Sequence, residues 1–136
     1  MNINEKIKIL IAEDELDPQY IMGKRLVQEG FQILTAQDGR EAIERIDKDC
    51  PDIIILDLMM PRVDGFAVLR YLRGNVPPLK WQPVIIVSAR TDLENFPEEF
   101  FSESDYYISK PCKMSDIVDA VHFLVEHRFS RRLRLV

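Results

Sequence analysis

Three short apolar runs punctuate the chain, at residues 7–11, 53–56 and 84–87. All are rich in β-branched residues and, apart from Lys8, none alternates with polar positions. A strand with one face in water alternates, whereas a strand covered on both faces does not. The runs therefore predict buried strands of a parallel sheet. Weaker strand candidates lie at 31–36 and 106–109. Between the runs, apolar positions recur at helical spacing. Asp17-Pro18 reads as a cap followed by proline at the first helical position, and Gly30 closes that segment. Ala42, Ile43 and Ile46 follow the Asp38-Gly39 turn; Phe66, Leu69 and Leu72 follow Asp64-Gly65. The last helix is the clearest, with Met114, Ile117, Val118, Val121, Leu124 and Val125 on one face. A further short helix is expected at 97–102, because Pro97 suits a first helical position and Glu98 and Glu99 face its positive end. A long loop carrying prolines is expected at 75–81.

The order βα, five times over, predicts an α/β doubly wound parallel sheet with right-handed crossovers. A length of 136 residues suits one domain, drawn here as 1–129 with a short basic tail at 130–136. From 128 onward the chain has four Arg and no acidic residue, which suits the negative end of a helix or a docking segment.

Composition narrows the function. Hydrophobic residues make up 46% and charged residues 30%, which excludes a disordered tail. No apolar run exceeds four residues, so neither a membrane span of roughly 20 nor a signal-peptide core of roughly 7–15 is expected. A cytoplasmic location and no membrane insertion follow as expectations. The formal charge of −5 argues against direct nucleic-acid binding. Cys50 and Cys112 stand far apart with no CxxC and no His at ligand spacing, so two free thiols are expected. His122 and His127 fall off the apolar stripe and receive no role.

Ligands of open parallel sheets bind beyond the carboxyl ends of the strands. There the chain places Glu13-Asp14 after the first run, Asp57 after the third, Ser88 after the fourth and Lys110-Pro111 after the fifth strand. Two carboxylates roughly 5 Å apart repel by on the order of 3 kcal/mol at an effective dielectric near 20. A compensating cation or a raised pKa is needed. Oxygen donors without nearby His or Cys select a hard ion, and Mg²⁺ is the natural one. Asp57 is not needed to cap the next helix, which starts near Asp64. A carboxylate can instead attack a phosphoryl group and form an aspartyl phosphate. Lys110 offers a compact cation for the transferring oxygens, and Ser88 a hydroxyl donor.

With these residues in view, the chain resembles a receiver domain of bacterial two-component response regulators, of the stand-alone, chemotaxis-regulator-like kind. The likeness rests on Glu13-Asp14, on Asp57 within IIILDLMMPRVDGF, on Ser88-Ala89 and on Lys110-Pro111. It implies a flavodoxin-like fold of strand order 2-1-3-4-5. It implies phosphoryl transfer to Asp57 from a histidine kinase or a histidine phosphotransfer protein. Mg²⁺ would be held by Asp14 and Asp57, with Glu13 through water and the backbone carbonyl of Met59. A cis bond before Pro111 is implied as well. In the switch the family uses, Ser88 moves toward the phosphoryl group and Tyr107 rotates inward. Met59 and Arg90 stand where the family modulates hydrolysis; a bulky apolar and a long basic side chain there are expected to slow it about tenfold, or about 1.4 kcal/mol of barrier. Such a protein is a signalling switch catalysing only its own phosphorylation and dephosphorylation, not an enzyme. Its downstream protein target is unspecified, and homodimerisation is left open. Ser102 to Asp105, Pro97, Cys112 and the 75–81 loop depart from the usual pattern, which bears on the surface of the fourth helix, last strand and last helix.

The alternative is a phosphorylation-independent pseudo-receiver, a binding module; it should lack Asp14, Asp57 or Lys110, and none is missing. An aspartyl-nucleophile phosphatase would want a second Asp where Met59 stands. A flavin carrier would want a Gly/Ser/Thr phosphate loop where Glu13-Asp14-Glu15 would repel the phosphate.

Overall fold

The computed structural model describes residues 7–60, 62, 64–74, 82–89 and 105–135, with side chains through 127. Five strands, β1 (Lys8–Ala12), β2 (Gln32–Ala36), β3 (Ile53–Leu56), β4 (Val84–Ala89) and β5 (Tyr106–Lys110), form one sheet of order β2-β1-β3-β4-β5. Every neighbouring pair is parallel. Four helices are described: α1 (Leu16–Gln28), α2 (Gly39–Asp49), α3 (Gly65–Gly74) and α4 (Met114–Leu135).

The missing alternation now has its cause. Odd positions of the central strands (Ile9, Ile11, Ile53, Ile55, Ile85, Val87) pack with Met22 and Leu26 of α1 and with Ile117, Val121 and Leu124 of α4. Even positions (Leu10, Ile54, Leu56, Val84, Ile86) pack with Ala42 and Ile46 of α2 and with Val68, Leu69 and Leu72 of α3. Burying one such side chain fully is worth roughly 1.5–3 kcal/mol, so both faces must be apolar.

Sequence punctuation holds at most helix ends. Asp38 caps α2, accepting from the Glu41 N–H at 2.8 Å, and Asp64 accepts from the Ala67 N–H at 3.0 Å. Gly30 takes φ 98° and closes α1: its N–H donates to Val27 O at 2.9 Å and that of Phe31 to Leu26 O at 3.1 Å, the two bonds of a Schellman motif. The start of α1 differs from the expected Asp17-Pro18 cap. The N-cap is Glu15, without a side-chain cap bond; the Gln19 N–H already donates to Glu15 O at 3.2 Å. Pro18 is the third helical residue, where a missing N–H still removes no helical bond. Asp17 contributes its charge to the first turn instead.

Among the described residues, no helix is long and apolar enough to cross a membrane. Cys50 and Cys112 are both free. His122 is not simply solvated: its Nε2 lies 3.6 Å from Glu29 Oε2, tying α4 to the end of α1. The expected helix at 97–102, the 75–81 loop and Arg90 lie outside the described residues.

Candidate functional site

The sheet delivers the acidic residues to one rim. The Glu13 N–H donates to Ala36 O and the Asp57 N–H to Ala12 O, each at 3.0 Å, so both residues leave adjacent central strands at the same level. Carboxylate oxygens of Glu13, Asp14 and Asp57 all lie within 4.8 Å of one another. Glu13 and Asp57 are buried and Asp14 half-buried. The Lys110 Nζ lies 3.3 Å from Asp57 Oδ2 and 3.5 Å from Glu13 Oε1. Lys110 is the last residue of β5 and immediately precedes the cis Lys110-Pro111 bond. Ser88 is wholly buried in β4 and pairs in register with Ser109, next to Ala89 with Lys110.

The loop after β3 is built around Asp57. The Met59 N–H donates to Asp57 Oδ1 at 3.1 Å, which orients the carboxylate, while the Met59 side chain is 58% exposed at the rim. The Gly65 N–H donates to Leu58 O at 3.0 Å. A Cβ on Gly65 would sit 2.5 Å from Asp57 O and 2.6 Å from Leu58 Cα, so α3 begins where only glycine fits. Arg62, at φ 66°, reaches across to Asp38 Oδ2 at 3.3 Å and joins this loop to the start of α2. Tyr107 lies on β5 with half its surface exposed.

The electrostatics call for a cation. Burial pushes the Glu13 carboxyl up to about 8, helped by a hydrogen bond and charge from Asp57 and by Asp14, against the pull of Lys110. Burial alone would lower the Lys110 ammonium, but the charges of Asp57 and Glu13 outweigh it and raise it. Even so, Glu13 Oε1 is buried without a hydrogen-bond partner. Three convergent carboxylates, with Glu13 Oε1 facing Lys110 at 3.5 Å but making no hydrogen bond, and no His or Cys in the cluster among the described residues, fit Mg²⁺, which takes oxygen ligands and keeps several waters.

Glu13, Asp14, Asp57 and Lys110 are thus brought together at this rim; Ser88 lies buried in β4, while Tyr107 and the Met59 side chain are exposed. One contributor had no motif to announce it. Gln19 of α1 is buried, and its Nε2 donates to Glu13 O at 3.0 Å and Ala36 O at 3.1 Å. Its only sequence signal is a polar residue on the stripe it shares with Met22 and Leu26. Beside the rim, an apolar groove of about 610 Å³ runs between α1 and α4, bordered by Pro18, Ile21, Lys110, Pro111 and Met114.

A five-stranded parallel sheet with an acidic rim and an opposed lysine defines a class of signalling domain, and comparison with known proteins agrees. The response regulator receiver domain family matches residues 9–122. The chain is 31% identical over 119 residues to the response regulator MprA of Mycolicibacterium vanbaalenii, covering 88% of this chain and 50% of that protein. It is 32% identical over 112 residues to the transcriptional regulatory protein TrcR of Mycobacterium tuberculosis, covering 82% and 42%. The receiver domain of the Francisella response regulator 1452 superposes with a TM-score of 0.79 at 32% identity, over 90% of this chain and 98% of that one. A response regulator receiver domain protein from Clostridium thermocellum does so with a TM-score of 0.78 at 26% identity, over 96% and 99%. The chain belongs to the response regulator receiver domain family of two-component systems. Such domains are signalling switches, not classical enzymes, and interact with histidine kinases. The chain spans about half the length of the curated relatives it matches.

Proposed function

We propose that this receiver domain is a phosphoacceptor switch in a two-component phosphorelay, taking a phosphoryl group on Asp57. The observation that carries the reading is the setting of Asp57: a buried carboxylate at a central strand end, 3.3 Å from Lys110 and grouped with Glu13 and Asp14. An Asp57 carboxylate oxygen would attack the phosphorus of a phosphohistidine; the P–N bond breaks and the imidazole leaves with the electron pair. Asp14 and Asp57 would hold Mg²⁺ directly, Glu13 through a water, and the Met59 carbonyl would complete the protein's share. Bound there, Mg²⁺ supplies positive charge to the oxygens of the transferring phosphoryl group. Lys110, 3.3 Å from Asp57 Oδ2, would bring a second positive charge to the transferring oxygens. The Met59 N–H keeps one carboxylate oxygen aimed, leaving the geometry preorganised.

Ser88 and Tyr107 would carry the response. Ser88 would turn its hydroxyl toward the phosphoryl oxygens, and Tyr107, now half-exposed, would turn into the space released. Such a switch is a two-state element biased by a local change of charge. Met59 and Arg90 would cover the path of the hydrolytic water. The donor, a histidine kinase or histidine phosphotransfer protein, would dock over the apolar groove beside Lys110, where Leu16, Tyr20 and Ile21 of α1 are exposed. A cytoplasmic location goes with this reading. The presence of Asp14, Asp57 and Lys110 together gives no support to a phosphorylation-independent module.

Incubation with acetyl phosphate, read by intact mass, tests the proposal. One added phosphoryl group with Mg²⁺ and none with EDTA is expected. No uptake in Mg²⁺, or equal uptake in EDTA, would overturn it.

A further inference from the structure

The backbone beneath the acidic pair is held by a side chain from a helix. The β1–β2 ladder ends at Ala12 opposite Ala36, and beyond it the chains part, one toward α1 and the other toward α2. At this fork the Ala36 carbonyl accepts the Glu13 N–H at 3.0 Å. The buried Gln19 Nε2 then donates to Glu13 O at 3.0 Å and Ala36 O at 3.1 Å. A carboxamide nitrogen has two N–H bonds, and here one meets each carbonyl. Glu13 therefore has both its N–H and its C=O fixed just where its side chain enters the site. Met22 and Leu26, on the same face of α1, are packed into the apolar core. An amide among them would carry a desolvation penalty without these bonds.

We propose that Gln19 is a positioning residue for the cation site. Its amide clamps the diverging ends of β1 and β2 and so sets the backbone from which Glu13 and Asp14 reach the cation. The inference rests on the phosphoacceptor reading above. It deepens that reading by assigning part of the site's Mg²⁺ affinity to a residue that touches neither metal nor phosphoryl group. Outer partners that orient ligands commonly carry about 10–100-fold in metal affinity.

Gln19→Met keeps length and apolar bulk but has no donor. In the full chain, Mg²⁺ titration by calorimetry should give a dissociation constant raised about tenfold. Phosphorylation by acetyl phosphate should need about tenfold more Mg²⁺ for half its maximal rate, with the limiting rate within about twofold of the wild type. Leu26→Val, on the same buried face two turns along α1, should lower stability and leave Mg²⁺ affinity unchanged. A folded Gln19→Met with unaltered Mg²⁺ affinity would overturn the proposal, as would an equal loss in Leu26→Val. Should Gln19→Met not fold, the wild type decides. Its Gln19 carboxamide protons should be protected from exchange and should shift in the NMR spectrum on Mg²⁺ addition. Exchange at free-amide rates with no shift would refute the clamp. A wild type that binds no Mg²⁺ would overturn the phosphoacceptor reading itself. A wild type that binds it with an indifferent Gln19 overturns only the positioning role.

Discussion

Replacing Asp14 by Asn should make the metal-free protein more stable. Oxygens of Glu13, Asp14 and Asp57 come within 4.8 Å of one another, a separation at which two full charges repel by about 3 kcal/mol at an effective dielectric near 20. Glu13 keeps its proton up to about pH 8, so near neutrality the pair that matters is Asp14 with Asp57. Asp14 is half-buried and Lys110 stands 3.3 Å from Asp57; solvent and this counter-charge reduce the repulsion to about 1–2 kcal/mol. For a domain of this size that is a rise of about 3–7 °C in Tm. In Mg²⁺ the order should reverse. A ligand at a hundredfold excess over its dissociation constant stabilises by about 2.7 kcal/mol, and the variant gives up most of that with its ligand. Urea unfolding of both proteins, in EDTA and in Mg²⁺, supplies the four numbers. A variant less stable than wild type in EDTA would refute the repulsion argument. Equal stabilisation of both by Mg²⁺ would refute the assignment of Asp14 to the cation site.

Other expectations follow from the same geometry. Because folding raises the Glu13 carboxyl from its ordinary 4.5 to about 8, the folded state binds more protons in that window. The Glu13 contribution to metal-free stability should therefore be full below about pH 4.5 and fall as pH rises toward 8, by at most about 1.4 kcal/mol per pH unit; urea melts in EDTA should show this component as a slope between those values, and Glu13→Gln should remove it. Gly65→Ala would drive a Cβ to 2.5 Å from Asp57 O, and should cost about 2–4 kcal/mol and slow phosphoryl uptake; wild-type stability and rate in the variant would show that α3 yields easily. Met59→Asn with Arg90→Glu puts groups able to orient water where the proposed reading has two covering side chains, and should shorten the lifetime of the phosphorylated protein about tenfold, measured by its decay in Mg²⁺; equal or slower decay would show that they do not shield the site.

The features legible in the sequence are those that local physics writes there. Unalternating runs such as 53–56 mean burial on both faces, and the sheet packs helices on both. Gly30 and Asp38 end and start helices through bonds to residues within five positions, so they too could be read. The site was legible because strand ends converge: Glu13, Asp57 and Lys110 needed only the strand order to become neighbours. What was not legible depends on distant partners. The Gln19 clamp needs Ala36, and the half-buried pair of Arg73 with Asp105, 3.0 Å apart, joins α3 to the entry of β5. His122 finds Glu29 only because α4 lies along α1. The start of α1 was misplaced for a different reason: Asp17-Pro18 is good cap chemistry, but a helix can begin without a side-chain cap when its first turn is already supplied with negative charge.

The central claim is that Asp57 receives the phosphoryl group. The direct measurement is intact-mass analysis, followed by peptide mapping, of wild type and Asp57→Asn after incubation with acetyl phosphate and Mg²⁺. The account predicts one phosphoryl group on the wild type, located on the peptide containing Asp57, and none on a variant that remains folded. Full labelling of Asp57→Asn, or a wild-type label mapped to another peptide, would contradict it.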